Sequence, residues 1–170
     1  MIELEGDLKM KLPMTLVALF LTPLFVNAGE VSVTWKDFKE YRDVRPGNET
    51  RGSFYERVEK QFTKHMEELA EQLPEGYKLA VSFDEIDLAG DVHYGISDIR
   101  VIKPIHFPRL EISYQLTDQA GKTIAQENAV KLKDMSFMDR IKRGLDESFY
   151  YEKRLLTEWF EDDLMKKVSL

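Results

Sequence analysis

The chain contains no cysteine. That removes disulfides, a thiolate nucleophile, Cys-ligated zinc and lipid attachment at a lipobox, and it leaves the core alone to hold the fold together. Histidine is scarce. His65, His93 and His106 stand far apart with no paired spacing, so a histidine metal site would have to be gathered by the fold. His65 lies beside Met66 on the apolar edge of a helical pattern, the position of a partly buried core histidine. There is no Walker loop, no dinucleotide glycine fingerprint, no nucleophile elbow and no H-E-x-x-H pair. Positive charge is short as well. The 170 residues carry a net charge of −7, against the clustered Lys and Arg that general nucleic-acid binding requires, so nucleic acid is not an expected partner.

What is present suits one folded domain. Hydrophobic residues make up 43% and charged residues 32%, a globular balance rather than a disordered one. The N-terminus reads differently. "MKLPMTLVALFLTPLFVNA" starts at Met10 with a positive residue at Lys11, runs apolar from Leu12 to Val26, and closes on Val26-Asn27-Ala28. This is the three-part layout of a secretory signal peptide. The apolar run, interrupted by Pro13 and Pro23, is short for a membrane span. Residues 1–28 are therefore expected to be a signal peptide with its natural start at Met10, and residues 29–170 a single mature domain. Periplasmic or secreted localisation follows, with no transmembrane anchor after cleavage.

Along the mature chain, "VSVTW" (31–35) alternates as a strand, and Pro46-Gly47-Asn48 marks a loop. Ser53 and Glu56 match a capping box. Behind them Phe54, Val58, Phe62, Met66, Leu69 and Leu73 form one helical stripe, which Pro74 and Gly76 end. A second strand spans about Tyr77 to Leu88, a loop covers Gly90–Ser97, and Ile99–Ile102 reads as a short strand. Arg109–Thr117 and a return strand around Ile124, Val130 and Leu132 form a hairpin about Asp118–Gly121. Ser136 to Asp139 suggests a short helix ended by Gly144. A last helix, Phe149–Lys166, sets Leu155, Leu156, Trp159, Phe160 and Leu164 on an apolar stripe. Strands with one polar and one apolar face imply a sheet covered on one side. The expected fold is an α+β two-layer sandwich: an antiparallel sheet of four or five strands with two amphipathic helices on one face.

The acidic stretch "SFDEIDLAGD" (82–91) carries the one irregularity with chemical interest. Apolar residues sit at odd positions through Phe83, then at even positions from Ile86. A β-bulge at Asp84 or Glu85 keeps Phe83 and Ile86 in one core and is the structural reading. The chemical alternative uses the oxygens of Asp84, Asp87, Asp91 and Asp98 as metal ligands, with calcium as the cation they suit, although the spacing is not that of an EF-hand. Arg42, Arg45, Arg51 and Arg57, with Lys60 and Lys64, form a basic sector in an acidic protein. A solvated helix face paired with Glu56, Glu59 and Glu68 accounts for part of it. The four arginines are the candidate contacts for a partner or an anion.

Together, "VSVTW", "YRDVRP", "DLAG", "IRVIKPIHFPRLEISYQL" and "YYEKRLLTEWF" resemble the bacterial exported domain-of-unknown-function family 3016 over Glu30 to Leu164. The resemblance implies export and a single domain, and brings no activity, cofactor or catalytic residue. The functional expectation is a non-catalytic periplasmic binding or envelope-associated structural module, with an envelope protein as partner, no catalytic residue and no cofactor. The alternative is a metal-dependent or acid/base hydrolase built on the acidic turn at 84–91, with His93 nearby.

Overall fold

The computed structural model describes residues 29–139 and 147–168. The expected signal peptide lies outside the described residues. Among the described residues six strands and the helices follow in chain order: β1 (Glu30–Thr34), α1 (Arg51–Ala70), β2 (Lys78–Asp87), β3 (Asp91–His93), β4 (Ile99–Val101), β5 (Arg109–Thr117), β6 (Thr123–Lys133) and α2 (Tyr150–Trp159). α2 continues through a π-helical segment, Phe160–Leu164, into a last turn, α3 (Met165–Val168). None of these helices is long and apolar enough to cross a membrane.

The main sheet has the order β1-β2-β5-β6, and β3 and β4 make a separate two-stranded ribbon. The architecture is α+β, as the patterning implies. β2, β5 and β6 are antiparallel neighbours, whereas β1 pairs parallel to β2, with Val33 opposite Val81. The sheet is therefore mixed. Helix α1 is the reason: it carries the chain back along the sheet, so the strands before and after it run the same way.

α1 begins at Arg51, two residues before the Ser53–Glu56 motif. Thr50 is the cap, its Oγ1 accepting the Ser53 N–H at 3.2 Å, so Ser53 lies inside the first turn. The helix buries Phe54, Val58, Phe62, Met66 and Leu69. They meet Leu79, Val81, Phe83 and Ile86 of β2 and Leu110, Ile112, Tyr114 and Leu116 of β5 in one core. Trp35 stacks on Phe83 with centroids 4.5 Å apart, and Phe62 closes on the same ring at 5.6 Å. Leu155, Leu156, Trp159, Phe160 and Leu164 complete the core among the described residues. Trp159 and Phe160 are thus core residues. Ser136–Asp139 forms a turn rather than the start of a helix; the rest of that expected helix lies outside the described residues.

The parity switch in β2 is a bulge. Phe83 pairs with Ile112 and Glu85 with Glu111, leaving Asp84 as the extra residue. Phe83 and Ile86 are both fully buried. At the next turn Gly90 has φ +82°, and a Cβ there would stand 2.6 Å from the Val101 carbonyl oxygen. Only glycine fits so close to the neighbouring strand.

Candidate functional site

After β1 and a 3-10 turn at Phe38–Glu40, the chain returns to the same edge of β2. The Asp43 N–H donates to the Ile86 carbonyl at 3.2 Å, and Leu88 N–H donates to the Asp43 carbonyl at 3.3 Å. This brings the Asp43 side chain under Arg100 of β4. The Arg100 guanidinium donates to both Asp43 carboxylate oxygens, at 2.8 and 3.3 Å, to the Gly90 carbonyl at 3.0 Å and to the Arg45 carbonyl at 3.1 Å. The planar fork of arginine suits this set of acceptors better than a lysine point charge. Beside it, Glu152 of α2 accepts the Ala89 N–H at 2.6 Å. Burial raises the Glu152 carboxyl above its ordinary pKa, against the opposing pull of the Ala89 N–H and Arg100. Segments 41–46, 87–90, 99–101 and 150–160, four of the stretches that carry the family resemblance, therefore meet at one polar knot.

The knot fixes the wall of a cavity of about 600 Å3. Lys39, Arg42, Arg45 and Arg51 supply its cations, and Tyr55 and Tyr94 its aromatic surface. The acids on its rim are engaged elsewhere. Glu49 pairs with Arg57, and Asp98 accepts the Gly95 N–H at 3.1 Å. Asp43 turns both oxygens to Arg100, leaving Arg45 Nε at 3.8 Å. Glu85 accepts the backbone N–H of Arg42 at 2.6 Å. Among the described residues no carboxylate lies within salt-bridge distance of the Arg42 or Arg51 guanidinium. Lys39, Arg42, Arg45 and Arg51 outnumber the carboxylates of Glu49 and Asp98 on the lining, and an excess of cations in a recess raises the local concentration of anions.

Three of the four candidate arginines thus line one groove. Arg57 does not. It is held by Glu49 and lies over the rings of Phe54 and Phe149, 5.1 and 5.0 Å from their centroids. On the outer face of α1, Lys64 pairs with Glu68 at 3.1 Å, part of the expected mixed helix face.

The acidic residues are dispersed. Asp84 lies on the open face of the sheet, accepting Ser82 Oγ at 3.2 Å and the Ser113 hydroxyl. Asp87 pairs with Arg109 at 3.1 Å, and its burial raises its pKa. Asp91 accepts the Val92 N–H at 2.9 Å, and Asp98 sits beyond the far end of the β3–β4 turn. The exposed His93 has Nε2 3.3 Å from Lys103 Nζ. Among the described residues no group of three or more Asp, Glu or His is placed to hold a metal ion. His65 is half-buried between the two helices, Nε2 lying 2.9 Å from both the Lys153 carbonyl and Thr157 Oγ1. Burial lowers its pKa.

Spacing alone does not reveal Arg100 or Asp43, which are 57 residues apart in sequence. Glu152 does leave a trace. It falls on the apolar stripe of α2 with Leu155, Leu156 and Trp159, where a charge implies a buried partner.

The model of a family described as "Protein of unknown function (DUF3016)" matches residues 29–162. No curated protein and no solved structure matches the chain.

Proposed function

The chain belongs to the DUF3016 family of proteins of unknown function, which assigns it no chemistry, and from the arginine groove we propose an exported, non-catalytic envelope module that binds an anionic group. The observation that carries this reading is the pair Arg42 and Arg51, which face the groove with Lys39 and have no carboxylate in salt-bridge reach among the described residues. Arginine forks match the oxygens of phosphate or carboxylate and bind them in bidentate fashion. Support for export comes from the signal-peptide layout ahead of Gly29.

Titration of the chain from Gly29 onward with tripolyphosphate, followed by amide NMR shifts, tests the groove. Saturable shifts are expected at Arg42, Arg45, Arg51 and Tyr94, with binding at least about tenfold weaker in R42A/R51A, given the worth of hydrogen bonds to charged groups. Binding that ignores this double substitution removes the proposal. Export is tested by fractionating cells that carry a C-terminally tagged protein. Cleavage after Ala28 and a periplasmic or secreted product are expected, whereas an uncleaved cytoplasmic protein refutes it.

A further inference from the structure

Next to the groove stands an exposed apolar tip. The turn between β3 and β4 holds Tyr94 and Ile96, and β4 opens with Ile99. Their exposures are 68%, 110% and 54%, so Ile96 projects as freely as it would in an extended chain. The tip is nonetheless anchored. Asp98 N–H donates to Asn48 Oδ1 at 2.8 Å, and a Cβ at Gly47 would stand 2.7 Å from the Asp98 carbonyl oxygen. Tyr94 itself lines the arginine groove. Apolar point and cationic recess therefore form one contiguous surface.

We infer that this surface docks the protein on an anionic lipid bilayer, with phosphate headgroups in the groove, Tyr94 at headgroup level and Ile96 reaching the acyl boundary. The inference rests on the anion-binding reading and names the source of the anion. A free phosphate fills the groove but leaves the isoleucines without a role. A projecting aliphatic point needs either a matching recess or a soft apolar phase, and the cations around it favour a phase whose surface is anionic. Peripheral attachment requires two weak signals acting together, apolar insertion and basic attraction, and both are here. Tyrosine is at home in the interfacial layer. The remainder of this acidic protein, with net charge −7, is repelled by the same membrane and so sets the orientation.

The test is co-sedimentation of the chain from Gly29 onward, which contains every described core residue, with phosphatidylglycerol-containing or pure phosphatidylcholine vesicles. Binding is expected to phosphatidylglycerol alone and to disappear at high salt. R42A/R51A is expected to weaken it about 25-fold, at about fivefold per basic residue. I96S is expected to weaken it about tenfold while leaving tripolyphosphate binding unchanged. No sedimentation with anionic vesicles overturns the inference; saturable tripolyphosphate binding would then leave the groove reading standing, and its absence would remove both. Equal binding to phosphatidylcholine, or binding indifferent to I96S, also overturns it. So does Ile96-dependent capture of a protein without vesicle binding.

Discussion

Replacing Arg100 with methionine is expected to be among the most damaging single changes outside the apolar core. Methionine keeps the length and the apolar stem but removes every donor. Asp43 loses contacts of 2.8 and 3.3 Å and retains only Arg45 Nε at 3.8 Å, while the Gly90 and Arg45 carbonyls lose donors at 3.0 and 3.1 Å. The side chains of the pair are 19% and 12% exposed. Removing one partner of a buried pair costs about 3–5 kcal/mol because a charge is stranded, and residual exposure places this case at about 3 kcal/mol. That is a large part of the ~5–15 kcal/mol that holds a typical domain folded. At a urea dependence of about 1.5–2 kcal/mol per molar, the midpoint falls by about 1.5–2 M. Trp35 and Trp159, both in or against the core, make tryptophan fluorescence the assay. D43N removes the stranded charge, so R100M/D43N is expected to cost less than the sum of the single changes by about 1.5 kcal/mol. A midpoint shift below about 0.5 M for R100M, or strict additivity, refutes the reasoning.

Two further outcomes follow from the bulge and from Glu152. Deleting Asp84 leaves Val81, Phe83 and Ile86 on one face in plain alternation and removes only the side-chain bonds to Ser82 and Ser113 and the Lys36 contact to the Asp84 carbonyl; the expected cost is about 1–2 kcal/mol. Deleting Ser82 instead turns Phe83 outward and Asp84 inward, and is expected to abolish the cooperative melt; equal damage from the two deletions in a circular-dichroism melt would contradict the bulge. For Glu152, burial raises the folded pKa above the ordinary 4.5, so the folded state holds the proton more tightly than the unfolded state. Its contribution to stability is full below pH 4.5 and is lost as pH rises through the folded pKa. E152Q keeps an oxygen for the Ala89 N–H without the charge. It should match the parent's melting temperature at pH 4 and exceed it at pH 8, and a less stable variant at pH 8 would contradict this.

Much of this fold is legible in local pattern. The alternation of Arg109–Thr117 marks β5 to the residue, and the Phe54–Leu69 stripe marks the buried side of α1. The parity change at Asp84 is visible because side-chain period is fixed at two. Strand direction is not legible in that way: five alternating residues in β1 look the same parallel or antiparallel, and only the α1 crossover decides. The cap is misplaced by pattern alone: Ser53-x-x-Glu56 matches a capping box, yet α1 is capped by Thr50 one turn earlier. The site was legible in composition but not in assembly. Arg42, Arg45 and Arg51 stand out as basic residues, yet the tip that brings Tyr94 beside them is held by Asn48 and Arg100 across long sequence separations. Such contacts leave no periodic trace.

The Asp84 bulge has a counterpart in the π-helical segment Phe160–Leu164. Each is a place where a regular element carries one residue more than its repeat requires, and each is flanked by fully buried side chains. Chain length and core composition are thereby partly uncoupled. A lineage of such proteins can gain or shed a residue at these two points while the same apolar side chains go on facing one another.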